Sequence, residues 1–201
     1  AADPNPLVAG QGIARLRAAG IAVHEGVHEE QAEALNIGFL RRMREGRPWV
    51  RVKTAASLDG RIALANGQSR WITGEAARLD VQRLRARSSA ILTGVNTILA
   101  DDPELTVRSD EVRDASGGHI RQPLRVVLDS RLRLQPTLRL FSTGDKRPLI
   151  VTTRQAADDQ PEALGRLASC ADLLVMPGAI ELPELLGHLA AHGCNELLVE
   201  A

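Results

Sequence analysis

The sequence contains very few aromatic residues and only two cysteines. Aromatic side chains make up 2% of the 201 residues and tyrosine is absent, so a buried core must be built mainly from Leu, Val, Ile and Ala. Cys170 and Cys194 are too few for a disulfide framework or, by themselves, a zinc site. They favour two buried thiols in a cytoplasmic protein.

The sequence also lacks an excess of either charge and any long apolar run. It has 25 basic and 25 acidic residues, which gives a formal net charge of zero. Electrostatics therefore give no reason to expect nucleic acid or an anionic membrane as a partner. No apolar segment approaches the roughly 20 residues of a membrane span, and no signal-peptide pattern is recognisable. We expect a small-molecule partner, with no nucleic acid and no membrane.

Several catalytic signatures are missing as well. No G-x-G-x-x-G follows a predicted strand, and there is no G-x-x-x-x-G-K-[ST] phosphate loop and no G-x-S-x-G nucleophile elbow. His188 and His192 stand four residues apart in HLAAH, but the glutamate of a zinc-protease motif is absent. Histidines on a helix surface are therefore favoured over a metal pair, and we predict no metal site.

From Trp49 onward, short apolar segments alternate with helical patterns. Helices are predicted at 75–88, 161–168 and 182–192, the first with Thr73 as its N-cap, and a flexible loop at 109–119. Strands are predicted at 49–55, 90–93, 124–128, 149–153, 172–176 and 196–200. This alternation indicates an α/β fold with a mostly parallel sheet and flanking helices.

The first 46 residues follow a different pattern. Their periodicity predicts helices at 10–19 and 29–45 with a short strand at 21–24 between them. One strand and two helices cannot bury a core of their own. We therefore expect this segment to be the tail of a domain that begins upstream, and the apolar end of the sequence to be cut as well.

The connection 54–74, TAASLDGRIALANGQSRWITG, raises the first question of function. Its Asp-Gly and Asn-Gly pairs favour tight turns, and a plain connection is the favoured interpretation of such pairs. Trp71, however, stands just before a predicted helix N-terminus, where free N–H groups attract anions. Ser69 and Thr73 add hydroxyl groups beside it, so a phosphate or nucleotide site is the alternative.

A second candidate region combines arginine side chains with the end of a strand. Arg85 falls on or beside the inward stripe of helix 75–88, where it either covers apolar surface with its stem or binds an anionic ligand. Thr97 follows a buried strand at its carboxyl end, where ligands bind in open α/β sheets, and Arg108 adds a second cation. These residues indicate a small phosphorylated ligand but do not identify a reaction.

Four motifs of this chain resemble the reductase domain of the bifunctional riboflavin-biosynthesis deaminase/reductase: V-K-x-A-x-S-L-D-G-R, S-x-W-I-T, L-R-A-x-S-x-A-I-L-T-G and A-D-D-P-x-L-T-V-R. They keep the family's order, and the final L-V-E-A also matches. Near the start, D-P-N-P-x-V-A-G-x-G and A-L-N-x-G-F-L-x-R-M resemble the end of the family's deaminase domain. The resemblance implies a cytidine-deaminase-like remnant at 1–46 and a dihydrofolate-reductase-like domain at 47–201.

The implied reaction is the NADPH-dependent reduction of 5-amino-6-(5-phosphoribosylamino)uracil to 5-amino-6-(5-phosphoribitylamino)uracil in riboflavin biosynthesis. The resemblance implies substrate-binding roles for Lys53, Ser69, Arg85, Leu105, Arg108 and Glu200. It implies cofactor-binding roles for Ala55, Trp71, Thr97, Asp101 and Ser130. No catalytic residue is assigned, although Lys53 or Glu200 is a candidate to assist proton transfer, and the family implies a homodimer or larger oligomer.

The chain departs from the family in two places. The H-A-E and P-C-x-x-C zinc motifs of the deaminase are absent, so zinc and deaminase activity are expected only in a full-length form. The family's G-P-T-L segment, which follows L-V-E-A and grips the cofactor, is also absent. A truncated non-catalytic fragment and a different dihydrofolate-reductase-like reductase therefore stay as alternatives. The 2′-phosphate of NADPH has three candidate partners, Arg131, Arg133 and Arg154.

Overall fold

The computed structural model describes residues 3–69, 71–115 and 117–200. The strands are β1 Trp49–Lys53, β2 Ala90–Gly94, β3 Leu124–Leu128, β4 Leu149–Thr153, β5 Asp172–Met176 and β6 Glu196–Glu200. The helices are α1 Gln11–Ala18, α2 Glu29–Leu35, α3 Ile37–Glu45, α4 Glu75–Arg87, α5 Val95–Asp101, α6 Asp110–Ala115, α7 Arg139–Ser142, α8 Arg154–Asp159, α9 Pro161–Ala168 and α10 Leu182–Ala191.

The six strands form one sheet in the order β1-β6-β2-β3-β4-β5. The pairings β2·β3, β2·β6, β3·β4 and β4·β5 are all parallel. β6, the last strand in the sequence, therefore lies inside the sheet between β1 and β2. The predicted α/β fold with a parallel sheet is confirmed. The central strands are continuous apolar runs because helices and loops bury them on both faces, as is usual in parallel sheets.

The core of the sheet is aliphatic, as the scarcity of aromatic residues predicts. The central strands carry four fully buried aliphatic residues, Ile91, Val127, Ile150 and Leu198. Phe141 is partly buried and packs against this cluster. Fully burying each aliphatic side chain stabilises the fold by about 1.5–3 kcal/mol. Of the two cysteines, Cys194 is buried and Cys170 is only half-buried, and neither forms a disulfide.

The chain divides into two units. One comprises Ala1–Trp49 with Pro183–Glu196, and the other Val50–Leu182 with Leu197–Ala201. The predicted domain division at residues 46 and 47 stays a prediction. Among the described residues of both units, no helix is long and apolar enough to cross a membrane.

Of the three helices in residues 1–49, α3 is the one with buried residues. α1 and α2 have no buried residue, whereas Gly38 of α3 packs against the turn before β6. A Cβ at Gly38 would lie 2.7 Å from the backbone oxygen of Asn195. Arg42 donates to Oδ1 of Asn195 over 2.6 Å, and the Trp49 N–H donates to the Asn195 carbonyl over 2.8 Å. Asn195 thus joins α3 to the start of β1.

Two predictions in the N-terminal segment are wrong. Residues 21–24 form no strand, since four alternating residues are too short to persist without a neighbouring strand. The helix predicted over 29–45 is interrupted at Asn36, which separates α2 from α3. The Asn36 side chain donates to the carbonyl of Ala32 over 3.0 Å, a local bond of the kind that competes with helix continuation.

The loop predicted over 109–119 is also wrong, because it contains helix α6. The Ser109 hydroxyl accepts from the Val112 N–H over 3.3 Å, and Asp110 and Glu111 lie in the first turn, where acidic side chains stabilise the helix dipole. Capping therefore outweighs the loop-like composition. The predicted N-cap of α4 is also wrong, since the N-cap residue is Gly74 and not Thr73.

Candidate active site

Helix α4 and strand β6 bring two predicted site residues into contact. Arg85, on the inward side of α4, donates from Nε and Nη2 to the two carboxylate oxygens of Glu200, each over 2.7 Å. Its Nη1 donates to the carbonyl of Thr106 over 3.0 Å. Arg85 and Glu200 are each only 8% exposed. The prediction that Arg85 faces inward is confirmed, and its charge is balanced by a carboxylate from the end of β6.

The segment after α5 places Leu105 in an unusual backbone conformation. Leu105 has a φ of 54° and Asp102 a φ of 42°, both in the left-handed region that bulky residues avoid at a cost of about 1–3 kcal/mol. The Leu105 side chain is 2% exposed and belongs to the core cluster. Any contact that Leu105 makes with a ligand therefore falls to its backbone groups, which this conformation orients.

Residues 106–108 are held by side chains instead of by sheet neighbours. The segment 102–109 belongs to no helix or strand. Gln122 accepts from the Val107 N–H over 2.9 Å and donates to the Val107 carbonyl over 3.0 Å. Gln82 of α4 accepts from the Arg108 N–H over 2.8 Å. Neither glutamine was predicted from the sequence, although Gln82 stands three residues before Arg85 and hence on the same helix face.

Glu104 holds the side chain of Arg108. Its carboxylate lies 3.6 Å from a guanidinium nitrogen of Arg108, accepts from the Thr106 hydroxyl over 3.3 Å and forms a second ion pair with Arg139. The Glu104 side chain is 14% exposed and that of Arg108 is 53% exposed, so Arg108 is a tethered cation that solvent and ligands can reach. Glu104 stands at the variable position of A-D-D-P-x-L, which is why the motif did not identify it.

The predicted cofactor residues Thr97, Asp101 and Ser130 follow two adjacent parallel strands. Thr97 and Asp101 lie on α5 directly after β2, and Ser130 lies just beyond the end of β3. Asn96 of α5 accepts from Nη2 of Arg133 over 2.7 Å, which links α5 to the turn after β3. The three residues therefore share the carboxyl edge of the sheet, where open α/β folds bind nucleotides.

The turn after β3 is fixed by its own hydrogen bonds. The Ser130 carbonyl accepts from the Thr153 hydroxyl over 3.2 Å, and Asp129 accepts from the Leu134 N–H over 2.9 Å. The Ser130 side chain stays exposed. Buried oxygens of Thr93, Asp129 and Thr152, one on each of β2 to β4 or just beyond, have no hydrogen-bond partner. These three oxygens are enclosed by the protein, so the exposed Ser130 side chain is the group of this turn that a polar cofactor can reach.

The connection 54–74 contains the predicted turns and positions Trp71. Gly60 and Gly67 have φ values of 79° and 82°, so both predicted turns are confirmed. The guanidinium of Arg78 lies 4.5 Å from the ring centroid of Trp71, and its Nη1 donates to the Thr73 carbonyl over 2.9 Å. Trp71 is 71% exposed, and an exposed ring held by α4 suits stacking against a planar group.

The remaining predicted site residues are Lys53, Ala55 and Ser69. Lys53 is half-buried at the end of β1, the strand beside β6, whose last residue is Glu200. Ala55 and Ser69 lie on the connection 54–74, and their ligand roles stay predictions. No group of three or more His, Cys, Asp or Glu residues in the described part of the chain could hold a metal ion.

The comparisons with known proteins identify the family. The RibD C-terminal domain family matches residues 48–201. The chain belongs to this family. It is 44% identical to the riboflavin biosynthesis protein RibD of Haemophilus influenzae over 204 residues, which cover 99% of this chain and 53% of that protein. The RibD protein of Escherichia coli is 43% identical, with 99% and 54% covered. The chain thus spans about half the length of these RibD relatives.

Solved RibD structures share the fold. The chain resembles one form of Acinetobacter baumannii RibD with a TM-score of 0.83 at 41% identity, covering 100% of this chain and 52% of that one. A Thermotoga maritima deaminase/reductase gives a TM-score of 0.77 at 32% identity and covers 99% of this chain and 51% of that one. The predicted membership in the RibD family and the dihydrofolate-reductase-like α/β fold are therefore confirmed.

Proposed function

We propose that this RibD C-terminal domain catalyses the reductase step of riboflavin biosynthesis, the NADPH-dependent reduction of 5-amino-6-(5-phosphoribosylamino)uracil to its ribityl counterpart. The observation that carries the proposal is the buried Arg85–Glu200 pair beside the tethered Arg108 in a RibD fold. The Thermotoga maritima relative bears this reductase activity in its name.

Arg108 is the best candidate for the 5′-phosphate of the substrate. A phosphate prefers a planar guanidinium that it can reach, and the Arg108 side chain is 53% exposed beside Glu104. Arg85 uses three of its five N–H groups on Glu200 and Thr106, so two remain for an anionic ligand. Ser69 and the backbone of Leu105 complete the proposed substrate contacts.

Lys53 and Glu200 would face the pyrimidine and the reacting sugar. Both oxygens of Glu200 accept hydrogen bonds from Arg85, so this carboxyl group already acts as an acceptor in the site. We therefore assign the proton to the ammonium of Lys53, which would deliver it to the sugar oxygen O4′ as the ring opens, directly or through water. Glu200 would orient the substrate as an acceptor.

The proposed cofactor contacts are Ala55, Trp71, Thr97, Asp101 and Ser130. NADPH, when bound, supplies the hydride, so the protein contributes binding and orientation. The exposed ring of Trp71 offers a stacking face, and the hydroxyls of Thr97 and Ser130 offer hydrogen bonds at the carboxyl edge. Arg131, Arg133 and Arg154 are exposed and stay open as partners of the 2′-phosphate.

The organisation of the longer protein is part of the proposal. We infer that residues 1–46 belong to the end of a deaminase-like domain and residues 47–201 to the reductase domain. The family match over 48–201 and the two activities in the name of the Thermotoga relative support this division. A full-length form would also deaminate the pyrimidine precursor at a zinc site, in the cytoplasm and as a homodimer or larger oligomer.

The test follows NADPH consumption by the purified chain with 5-amino-6-(5-phosphoribosylamino)uracil, together with NADPH binding followed by fluorescence. Arg108→Ala should raise KM for the phosphorylated substrate at least about tenfold, as expected for a lost charge-assisted hydrogen bond, and leave KM for NADPH unchanged. Arg15→Ala on the exposed helix α1 is the matched control.

The alternatives predict other results. Absence of both NADPH binding and turnover would favour a non-catalytic fragment that acts only in binding or assembly. Turnover of dihydrofolate or another pteridine, without turnover of the phosphoribosylaminouracil, would favour a different dihydrofolate-reductase-like reductase. Equal effects of Arg108→Ala on both KM values would remove the phosphate role of Arg108.

A further inference from the structure

The buried segment Thr106–Val107 has a hydrogen-bonding requirement that the sheet does not meet. Thr106 is 6% and Val107 4% exposed, and neither belongs to a strand. Buried backbone N–H and C=O groups must find partners. Side chains supply partners here. Arg85 donates to the Thr106 carbonyl, and Gln122 accepts from the N–H of Val107 and donates to its carbonyl.

Gln122 is chemically suited to this position. A carboxamide is a donor and an acceptor at once, so it can pair with a peptide group as a neighbouring strand would. Gln122 precedes Pro123, which restricts it to an extended backbone. Pro123 is buried, and the next residue, Leu124, begins β3 and donates from its N–H to the Ser89 carbonyl over 3.0 Å. The carboxamide is thus anchored to the rigid sheet.

The consequence reaches Arg108, one residue after Val107. The backbone of Arg108 is fixed by Gln82 and its guanidinium is tethered to Glu104. Both contacts depend on where the chain leaves Val107. A shift of Val107 would move Leu105 and Arg108 together, and a displacement of about 1 Å at a binding group is costly.

We propose that Gln122 is a positioning residue that fixes the register of Leu105–Arg108 and so places the guanidinium of Arg108 for the substrate phosphate. The proposal rests on the proposed reductase function for the identity of the substrate. Gln122 itself needs no contact with the substrate or the cofactor. It acts through the peptide groups of Val107.

The decisive variant is Gln122→Glu. It keeps the shape and the acceptor for the Val107 N–H, but its carboxylate faces the Val107 carbonyl without a donor. KM for the phosphorylated substrate should rise roughly tenfold, the scale of one unmet buried hydrogen bond, with kcat within about twofold and KM for NADPH unchanged. Gln135→Glu, the same change on an exposed side chain, should leave all three values unchanged.

Two further measurements keep the outcome decisive. Gln122→Met removes both hydrogen bonds without adding charge. If Gln122→Glu does not fold, the same KM and kcat values are measured for Gln122→Met. Binding of inorganic phosphate, followed by calorimetry, needs no turnover, so weaker binding by the variant supports the positioning role even if the wild-type chain fails to reduce the substrate. Unchanged phosphate binding, or a lower melting temperature with both KM values unchanged, would overturn the proposal and leave Gln122 a structural residue.

Discussion

Arg85 and Glu200 are joined by two parallel hydrogen bonds of 2.7 Å although they lie 115 positions apart in the sequence. The pair connects α4 to the end of β6, and only 8% of each residue is exposed. Removing two charges from water is costly, and an ion pair offsets this cost only when its geometry is good and its remaining groups are satisfied. The contact of Arg85 with Thr106 contributes to that satisfaction.

Glu200→Gln should therefore destabilise the protein strongly. The substitution leaves the buried guanidinium without a counter-charge, and breaking one partner of such a pair costs about 3–5 kcal/mol. The free energy of unfolding in urea measures the loss. Glu25→Gln is the matched control, because the pair of Glu25 with Arg17 is exposed and should contribute less than about 1 kcal/mol. Equal losses in the two variants would contradict the prediction.

The double variant Arg85→Met with Glu200→Leu should separate stability from function. Replacing a buried ion pair by apolar residues is often neutral or stabilising, so most of the stability lost in Glu200→Gln should return. The double variant should nevertheless bind the phosphorylated substrate more weakly than the wild type, because both proposed ligand groups are gone. Denaturation and calorimetry on the same samples test this, and recovery of substrate binding would remove Arg85 and Glu200 from the site.

Glu104→Gln should weaken substrate binding without affecting the cofactor. The amide loses the ion pairs with Arg108 and Arg139 while keeping the shape of the side chain. We expect KM for the phosphorylated substrate to rise roughly fivefold, on the scale of one weakened charged contact, and KM for NADPH to stay unchanged. Steady-state kinetics provide both values. Glu162→Gln on the exposed side of α9 should have no effect, and a similar rise there would contradict the role of Glu104.

Much of the sheet was predictable from the sequence, because buried parallel strands are short continuous apolar runs. β2, β4 and β6 follow this rule, whereas Arg125 interrupts the run of β3 and the edge strand β5 is only partly buried. The inward position of Arg85 was also predictable, since helical periodicity is local. Its partner was not, because nothing local relates Arg85 to Glu200, and only the parallel sheet brings the end of β6 beside α4.

The errors have equally local physical causes. Helix α6 depends on the Ser109 cap and on acidic residues in the first turn, which a composition that includes glycine concealed. The break at Asn36 depends on one side-chain hydrogen bond. The roles of Glu104 and Gln122 depend on contacts with a segment that has no regular structure, and periodicity carries no information about such a segment.

Gly144→Ala should destabilise the loop that surrounds Arg125. Gly144 has a φ of 80°, and a Cβ there would lie 3.1 Å from Cζ of Arg125. Arg125 is 3% exposed and donates to the carbonyls of Leu140 and Thr143, each over 2.6 Å. Burial lowers the pKa of its guanidinium below the usual value, with Asp145 opposing this shift. Arg125 therefore depends on these carbonyls and has little freedom to move.

The expected loss for Gly144→Ala exceeds the strain of the left-handed backbone alone, which is about 1–2 kcal/mol. Gly193→Ala isolates that strain, because Gly193 has a φ of 87° but open space around its Cβ position. Gly178→Ala, with open space and no positive φ, should be close to neutral. Melting temperatures rank the three variants by stability. An equal decrease for Gly144→Ala and Gly193→Ala would show that the contact of the new Cβ with Arg125 does not destabilise the protein.

Stability should fall as the pH is lowered through the titration of His188. Partial burial first, and the neighbouring His192 second, lower the pKa of His188 below its usual value of 6.5, and the two rings lie 4.3 Å apart. The unfolded chain then binds a proton more readily than the folded one, so acid favours unfolding. The contribution is complete above pH 6.5 and is lost as the pH falls through the lower folded-state pKa. Melting temperatures from about pH 8 to about pH 5, compared with those of His188→Gln, isolate this contribution. The melting temperature of His188→Gln should depend less steeply on pH than that of the wild type. His24→Gln, a change at an exposed residue, should give the wild-type dependence. Parallel curves for His188→Gln and the wild type would contradict the prediction.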